Sequence, residues 1–273
     1  MGEKGSNPQN ILIPLEVDSS HLVTGFVVLF DHGFPKEGQK TLLDYAGSSF
    51  RESGANLTIH RKLDDPALED GYTIALLKLA HSIDCCNEYS ANHTQKTAYW
   101  AHKIAGKMGF NEEALNRITL ASQLHDIGKV MVPKSVLTKP SQLSDEEWKI
   151  MKRHPTFGGM IMKPSPRLHA LIPLVTAHHE NFNGTGYPLG LAGEQIPLPA
   201  RIISVADTYA TMTEGRVYRR PSTGVEALRE LIRYSGRQFD PEVVSIMVDL
   251  AISGGGDHTQ CKPRSVYTVL SSP

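Results

Sequence analysis

From residue 91 onward, apolar residues recur at helical intervals along almost the whole chain, and this pattern constrains the fold more than any other feature. Helix-start signals accompany it: Ser144 and Thr223 each stand three residues before a glutamate, and Asp240 precedes a proline. Residues 181–198 interrupt the pattern, because their glycines and prolines exclude regular structure. A loop of this length inside a compact bundle is usually functional. The sequence therefore predicts a mainly α-helical protein that carries a functional loop.

The N-terminal part has a different pattern, in which β-branched and aromatic residues surround a turn at residues 18–20. It predicts a hairpin of Ile11–Val17 and Leu22–Phe30, followed by helices over residues 36–60 and Leu68–Tyr89. Two strands cannot bury a sheet face by themselves, so this segment must pack against something else. We therefore expect a small α+β segment in front of the helical bundle.

The chain divides into three predicted parts. Residues 1–84 hold the hairpin and its helices, residues 85–252 form the helical domain, and residues 253–273 form a tail with consecutive glycines and few apolar residues, which we expect to be mobile. The apolar repeat of Leu68–Tyr89 could couple an N-terminal sensor to the site and pair with its copy in a homodimer. The alternative is that this stripe belongs to the intramolecular core.

Composition narrows the class of protein. Of 273 residues, 40% are hydrophobic, and the 28 Lys and Arg balance the 29 Asp and Glu. No apolar run approaches the ~20 residues of a membrane helix, and the three cysteines have neither zinc-ribbon spacing nor an even disulfide framework. We expect a globular cytoplasmic chain with no membrane span and no DNA or RNA polymer as partner. Residues 128–167, with 8 basic and 3 acidic side chains, could attract an anion or could be an ordinary solvated surface.

The first candidate site is His125-Asp126, an imidazole and a carboxylate flanked by the apolar Leu124 and Ile127. Polar groups in such surroundings need a partner, which can be a metal ion or simply each other in a buried hydrogen bond. On a helix, Lys129 would share their face and present an ammonium to whatever the metal binds. The pair alone leaves both readings open.

Further imidazoles and a carboxylate accumulate along the chain: His93 opens a predicted helix, His154 closes one before Pro155, His178 and His179 precede the glycine-rich loop, and Asp207 lies within an apolar helix. Five imidazoles and two carboxylates are too many for one cation and suit two, with Asp126 as the natural bridge. Nitrogen and oxygen ligands without a thiolate argue against a structural zinc site and for iron, with manganese as the alternative.

Six motifs follow one another along the chain: His125-Asp126 with Lys129, His154-Pro155, residues 178–188 with Gly184-Thr185-Gly186-Tyr187-Pro188, Asp207, Arg216-x-Tyr218-Arg219 and Phe239-Asp240-Pro241. In this order and spacing, they closely resemble the HD-GYP family of cyclic dinucleotide phosphodiesterases over roughly residues 85–250. The resemblance implies an HD-domain helical bundle with a multinuclear metal centre, usually iron. It also implies hydrolysis of cyclic di-GMP to pGpG or onward to GMP.

Carried over by position, the resemblance assigns metal ligation to seven residues: His93, His125, Asp126, His154, His178, His179 and Asp207. It implies that Lys129 contacts the scissile phosphate and that Arg216 and Arg219 hold substrate phosphates. The expected reaction is hydrolysis by a hydroxide that two cations generate, with Asp126 between them. Tyr187 could stack on a guanine or serve packing alone, and its loop could wall the pocket or bind a signalling protein.

Two positions depart from the family pattern. Tyr89 stands where some members place a glutamate, with Glu88 one position off, and Ala210 stands where the family usually repeats an aspartate. Both departures remove oxygen ligands for a third cation, so we expect two metals and leave the product open. They also support an alternative, a degenerate module that binds a cyclic dinucleotide or a signalling partner without turnover. A preference for a mixed guanine–adenine cyclic dinucleotide is a further alternative.

The N-terminal hairpin has a weaker resemblance of its own. Residues 11–15 and the strand that contains Gly25-Phe26-Val27 look like the last two strands of a GAF sensory domain, in which case the natural chain would extend further. The alternative is a small cap that packs by itself.

Overall fold

The structure is a computed structural model that describes residues 10–13, 26–29, 66–86, 93–214 and 221–253. Two short strands, β1 (Asn10–Ile13) and β2 (Phe26–Leu29), pair antiparallel, with Asn10 opposite Leu29. The hairpin is thus present with shorter strands than the pattern indicated. The predicted helix over residues 36–60, the turn at 18–20 and the tail beyond residue 253 lie outside the described residues.

The remaining described chain is helical, as the apolar periodicity predicted. The α-helices are α1 (Pro66–Cys86), α2 (His93–Lys107), α3 (Glu112–Leu124), α4 (Lys134–Leu137), α5 (Asp145–Met151), α6 (His154–Met162), α7 (Ile172–Thr176), α8 (Leu198–Glu214), α9 (Gly224–Arg233) and α10 (Pro241–Ser253). Short 3₁₀ turns occupy Ile127–Met131, Pro166–Leu171 and Gly193–Gln195. The predicted domain boundary at residues 84 and 85 falls near the end of α1 and stays a prediction.

Two hydrophobic clusters hold these helices together. The first packs α1 against α6 and α7, around fully buried residues such as Tyr72 and Leu76. The second packs α2 against α8, α9 and α10, around Tyr209 and Leu231. Helices α3 and α8 contribute to both clusters, so they form the shared wall of the bundle. Each large apolar side chain buried in this way stabilises the fold by roughly 1.5–3 kcal/mol.

A buried polar contact joins α1 to α2. Asp84, near the end of α1, is 4% exposed and accepts a hydrogen bond from the backbone N–H of Thr94 at 3.1 Å. The Thr94 hydroxyl donates to the same carboxylate. Because the first N–H groups of a helix lack partners inside it, this carboxylate caps the start of α2. The position of α2 is therefore tied to that of α1.

The structure tests the helix starts and ends that local residues predicted. Ser144 and Thr223 both form complete capping boxes, which confirms two predicted helix starts, and His93 opens α2 as predicted. The prediction that His154 closes a helix was wrong, since His154 begins α6. The proline at position 155 is accepted there because the first helical turn does not need its missing N–H.

The placement of His125-Asp126 on a helix was also wrong. Helix α3 ends at Leu124, and Asp126, with φ −99° and ψ 4°, precedes the 3₁₀ turn. The chain turns here to pass close to α6: a Cβ at Gly128 would lie 1.9 Å from the carbonyl oxygen of His154. Within the described ranges, no helix is both long enough and apolar enough to cross a bilayer.

Candidate metal centre

The seven predicted ligands come together from five parts of the chain. His93 begins α2, His125 and Asp126 follow α3, His154 begins α6, His178 and His179 follow α7, and Asp207 lies in the middle of α8. They form two groups, and within each group the donor atoms all lie within 4.8 Å of one another. We call these groups the four-donor set (Asp126, His154, His178, His179) and the three-donor set (His93, His125, Asp207). The spacing within each group suits one cation.

Asp126 faces both sets. Its Oδ1 lies 3.2 Å from Nε2 of His154 and 4.0 Å from Nε2 of His178, whereas its Oδ2 lies 3.3 Å from Nε2 of His125. Lys129 Nζ lies 2.5 Å from the same Oδ2. A carboxylate with one oxygen toward each group is the geometry that a bridging ligand needs.

The close approach of Asp126 and His154 depends on the residue between the two segments. Gly128 follows Asp126 by two positions. Any residue with a Cβ at this position would clash with the carbonyl oxygen of His154 and displace α6. The Gly in this motif therefore brings two donors together, which the spacing of the sequence does not reveal by itself.

Three of the imidazoles are oriented by backbone carbonyls. The Nδ1 atoms of His125, His154 and His178 lie 2.7, 2.9 and 2.5 Å from the carbonyl oxygens of Ser122, Met151 and Val175. A carbonyl only accepts hydrogen bonds, so each Nδ1 carries a proton and Nε2 is the nitrogen that can present a lone pair to a cation. This is the arrangement by which proteins fix metal-binding histidines.

Those lone pairs face other acceptors. Nε2 of His154 lies 3.4 Å from Nε2 of His178, and both rings already donate through Nδ1. Among the described residues, His125 Nε2 and Asp126 Oδ1 are buried without a hydrogen-bond donor. Buried acceptors that face one another are unfavourable unless a cation or a proton lies between them. The donor set therefore fits divalent metal ions.

The pKa values of the two sets shift in opposite directions. Burial, followed by the charge of neighbouring imidazoles, lowers the pKa of His178 well below its usual value and that of His179 to about 3. Burial would also lower the pKa of His93, but Asp207 and Glu214 outweigh it and raise that pKa to about 10. The pKa of His125 is likewise raised against burial, mainly by Asp126.

The pKa values of the carboxyl groups are depressed. Burial opposes their ionisation, but Lys129 and His125 hold the pKa of Asp126 well below its usual value. Against the same opposition, the hydrogen bond from His93 lowers the pKa of Asp207. Both groups are therefore anionic at neutral pH and available as oxygen ligands.

A cavity of about 850 Å³ opens onto the two sets. His179 and Asp207 line it, together with Trp148, Lys149 and Lys152 from α5 and the residue that follows this helix. Helix α5 contributes no buried side chain, and its Trp148 is 46% exposed. An aromatic ring and two ammonium groups are thus presented to the space above the donors.

Tyr187 also lines this cavity, beside His179. Its ring lies over the His179 ring, with centroids 5.0 Å apart, and Lys152 Nζ lies 5.6 Å from the Tyr187 centroid. The backbone N–H of Tyr187 donates to the carbonyl oxygen of His179 at 3.2 Å. The glycine-rich loop therefore folds back over one of the candidate ligands.

Glu180 holds this loop in place, and sequence reasoning did not single it out. Its carboxylate is 2% exposed and accepts hydrogen bonds from the backbone N–H groups of Leu189, Gly190 and Leu191 at 2.6–3.1 Å. At Gly186 a Cβ would lie 2.2 Å from the backbone nitrogen of Asn181, so only glycine allows this fold. The sequence contained a signal for this role, because a glutamate directly before a glycine-rich loop can accept hydrogen bonds from the backbone N–H groups of that loop.

Some predicted positions receive no structural placement. Arg216, Arg219, Tyr89 and Glu88 lie outside the described residues. Ala210 is fully buried on α8 and provides no oxygen ligand. Glu214, at the end of α8, was also missed in the sequence; its carboxylate is 3% exposed and lies beside His93 and Lys96.

Comparison with known proteins agrees with this geometry. A cyclic di-GMP phosphodiesterase of Thermotoga maritima is 36% identical over 185 residues, which cover 66% of this chain and 50% of that protein. A cyclic di-GMP phosphodiesterase response regulator of Xanthomonas campestris is 38% identical over 63% of this chain and 46% of its own length. A 3'3'-cGAMP-specific phosphodiesterase of Vibrio cholerae is 34% identical over 63% of this chain and 33% of its own. The chain thus spans about half the length, or less, of these curated relatives.

A solved structure shares the fold. The crystal structure of a cyclic GMP-AMP specific phosphodiesterase of V. cholerae superposes with a TM-score of 0.56 at 19% identity, over 74% of this chain and 54% of that one. Residues 79–243 match the family model described as HD domain, which is more than half of the chain. These matches confirm the family resemblance carried by the motifs, and the chain belongs to the HD domain family.

Proposed function

We propose that this chain is a metal-dependent phosphodiesterase that hydrolyses a cyclic dinucleotide, with cyclic di-GMP as the first candidate substrate. The observation that carries the proposal is the pair of facing acceptors, Nε2 of His154 and Nε2 of His178, 3.4 Å apart beside Asp126. Relatives at 34–38% identity bear the names of cyclic di-GMP and cGAMP phosphodiesterases.

Two divalent cations would occupy the four-donor and three-donor sets, one in each, with Asp126 shared. Iron is the first candidate and manganese the second, because the donors are imidazoles and carboxylates without a thiolate. Ala210 leaves α8 without a second aspartate near Asp207, which supports two cations rather than three. Bound cations of this kind lower the pKa of a coordinated water and neutralise charge on a phosphate.

Side chains and backbone groups of the protein would bind the phosphate and fix the ligands. Lys129, whose ammonium already contacts Asp126, would donate to a non-bridging phosphate oxygen, and one such donor is worth roughly 10²–10³-fold in rate. The backbone carbonyls behind His125, His154 and His178 keep the rings fixed, so the donors need no rearrangement when substrate arrives.

The cavity suits the rest of a cyclic dinucleotide, which carries two bases and two phosphates. Its volume of about 850 Å³ lies within the range of small-ligand sites. Lys152 offers positive charge to a phosphate, whereas Lys149 is paired with Glu146 at 2.7 Å. The rings of Trp148 and Tyr187 offer faces on which bases can stack, at roughly 1–3 kcal/mol per base. Arg216 and Arg219 remain proposed phosphate contacts on the strength of the motif alone.

The test is metal analysis of protein purified without oxygen, combined with hydrolysis assays on cyclic di-GMP, 3'3'-cGAMP and cyclic di-AMP. We expect two metals per chain and release of linear pGpG, GMP or both from cyclic di-GMP. Faster turnover of 3'3'-cGAMP would change the substrate and leave the reaction in place. Tight binding of a dinucleotide by the metal-loaded protein without turnover would overturn the proposal in favour of a binding module.

Two proposed interactions concern surfaces beyond the site. Binding of a signalling protein by the glycine-rich loop stays a prediction. The homodimer through the helix that includes α1 stays a prediction, which light scattering over a wide concentration range would test.

A further inference from the structure

His93 is oriented differently from three other histidines of the centre. His125, His154 and His178 each place Nδ1 against the carbonyl oxygen of the residue three positions earlier. His93 is the first residue of α2, so no turn of that helix precedes it. Its Nδ1 instead lies 3.6 Å from Oε2 of Glu214, while its Nε2 lies 3.1 Å from Oδ1 of Asp207.

The two carboxylates that flank the His93 ring come from one helix. Glu214 follows Asp207 by seven residues on α8, which is two helical turns, so both side chains leave the same face. The Glu214 side chain is 3% exposed. Helices α2 and α8 therefore enclose the imidazole between a carboxylate at each nitrogen.

The charge of Glu214 has a cationic partner. Lys96, three residues after His93 on α2, places its Nζ 2.8 Å from Oε1 of Glu214. A buried carboxylate needs such a partner to stay ionised. One oxygen of Glu214 thus faces Lys96 and the other faces His93, and the negative charge is held at Nδ1 of the ring.

We infer that Glu214 is a positioning residue for the three-donor set. By holding a negative charge 3.6 Å from Nδ1, its carboxylate favours the proton on that nitrogen and increases the electron density at Nε2, where a cation would bind. A carboxylate does this more strongly than the neutral carbonyls behind the other histidines. With Asp126 shared, each set offers four donors, but the three-donor set has only two imidazoles against three in the four-donor set, so the strength of each imidazole counts for more there. This inference rests on the proposed metal-dependent function.

The experiment measures Mn²⁺ binding by calorimetry to the full chain, so that no hydrolysis is needed. In Glu214→Gln, the charge is lost with little change in shape, and we expect the affinity of one Mn²⁺ site to fall about 10–100-fold while the other is unchanged. Glu69→Gln is the matched control. Glu69 is a buried carboxylate of α1 that accepts from Ser165 and from the backbone of Arg167, away from the donor sets.

The effect must pass through His93. In a His93→Ala background, Glu214→Gln should therefore cause no further loss, whereas a general loosening of the fold would add to it and lower both Mn²⁺ affinities. Unchanged affinities in a folded Glu214→Gln variant would overturn the inference. If that variant does not fold, Glu214→Asp decides: it keeps the charge but withdraws it by one methylene, and an affinity equal to that of the parent would overturn the inference.

The parent protein separates this inference from the proposed function. Failure of the parent to bind Mn²⁺ or iron would defeat both. Two bound cations in the parent, with no difference between the parent and Glu214→Gln, would defeat only the role of Glu214.

Discussion

The two donor sets lie side by side but differ in charge. The four-donor set has three imidazoles and one carboxylate, and the pKa values of His178 and His179 are lowered. The three-donor set has two imidazoles, one carboxylate of its own and Glu214 behind it, and the pKa values of His93 and His125 are raised. The same residue type thus has lowered pKa values in one set and raised pKa values in the other.

This difference means that the imidazoles of the two donor sets bind a cation from different protonation equilibria. Neutral imidazoles can bind at once, whereas protonated ones must first release a proton, so cation binding and proton release are linked in the three-donor set. The proton that His93 must release makes that set the weaker one at neutral pH. Asp126 faces both sets, so it completes four donors on each side.

The largest expected effect comes from Asp126→Asn, which removes the shared charge while keeping the shape. A neutral amide cannot hold two cations, so we expect metal loss from both sets and undetectable hydrolysis. Elemental analysis after dialysis measures the metal content of the variant. Asp145→Asn is the control, because Asp145 lines the cavity but belongs to neither donor set. Retention of two metals in Asp126→Asn would show that the sets are independent.

The next comparison sets His93→Ala against His179→Ala. Each removes one imidazole and, with Asp126 shared, leaves three donors, but one imidazole then remains in the three-donor set and two remain in the four-donor set. We expect each variant to lose hydrolysis, and His93→Ala to lose its cation more completely at a limiting metal concentration. A more complete loss in His179→Ala would reverse the ranking of the two sets, and full occupancy in both variants would make these histidines structural.

A smaller effect is expected for Lys129→Ala, because an ammonium does not ligate a cation. Metal content should stay at the parental value while the rate of hydrolysis falls about 10²–10³-fold. Single-turnover kinetics together with metal analysis separates the two quantities. Loss of metal along with the rate would show instead that Lys129 holds Asp126 in position.

The smallest effect is a pH dependence that differs between the sets. Since the pKa of His93 is raised to about 10, a cation must displace its proton throughout the neutral range, and affinity at the three-donor set should rise about tenfold per pH unit for each proton displaced. The lowered pKa values of His178 and His179 leave these two ligands without a proton to displace between pH 6 and 8, so affinity at the four-donor set should change less with pH. Mn²⁺ titrations at two pH values measure this, and parallel changes at both sites would contradict it.

Local chemistry made much of the fold predictable. The capping boxes at Ser144 and Thr223 and the glycine-rich loop each depend on a few neighbouring residues, and the structure confirms them. The helix assigned to His125-Asp126 failed because a non-local contact decides it: the chain must turn where Gly128 meets α6. Periodicity along one segment carries no information about such an approach.

The ligand candidates could be found because histidines in apolar surroundings are conspicuous. Glu180 and Glu214 were not, since a glutamate at the end of a helix or beside a loop is most often exposed, and only tertiary packing buries these two. The residues that organise the site are therefore harder to predict than those that would bind the metal.

The carboxylate of Asp84 gives the centre a mechanical connection to the rest of the chain. It caps α2 through Thr94, the residue that follows His93, and it belongs to α1, which also packs against α6 and α7 in the first hydrophobic cluster. A shift of α1 along its axis would therefore act on the first turn of α2 and on the 3.1 Å approach of His93 to Asp207. One carboxylate thus gives α1 a direct hold on a candidate ligand of the three-donor set.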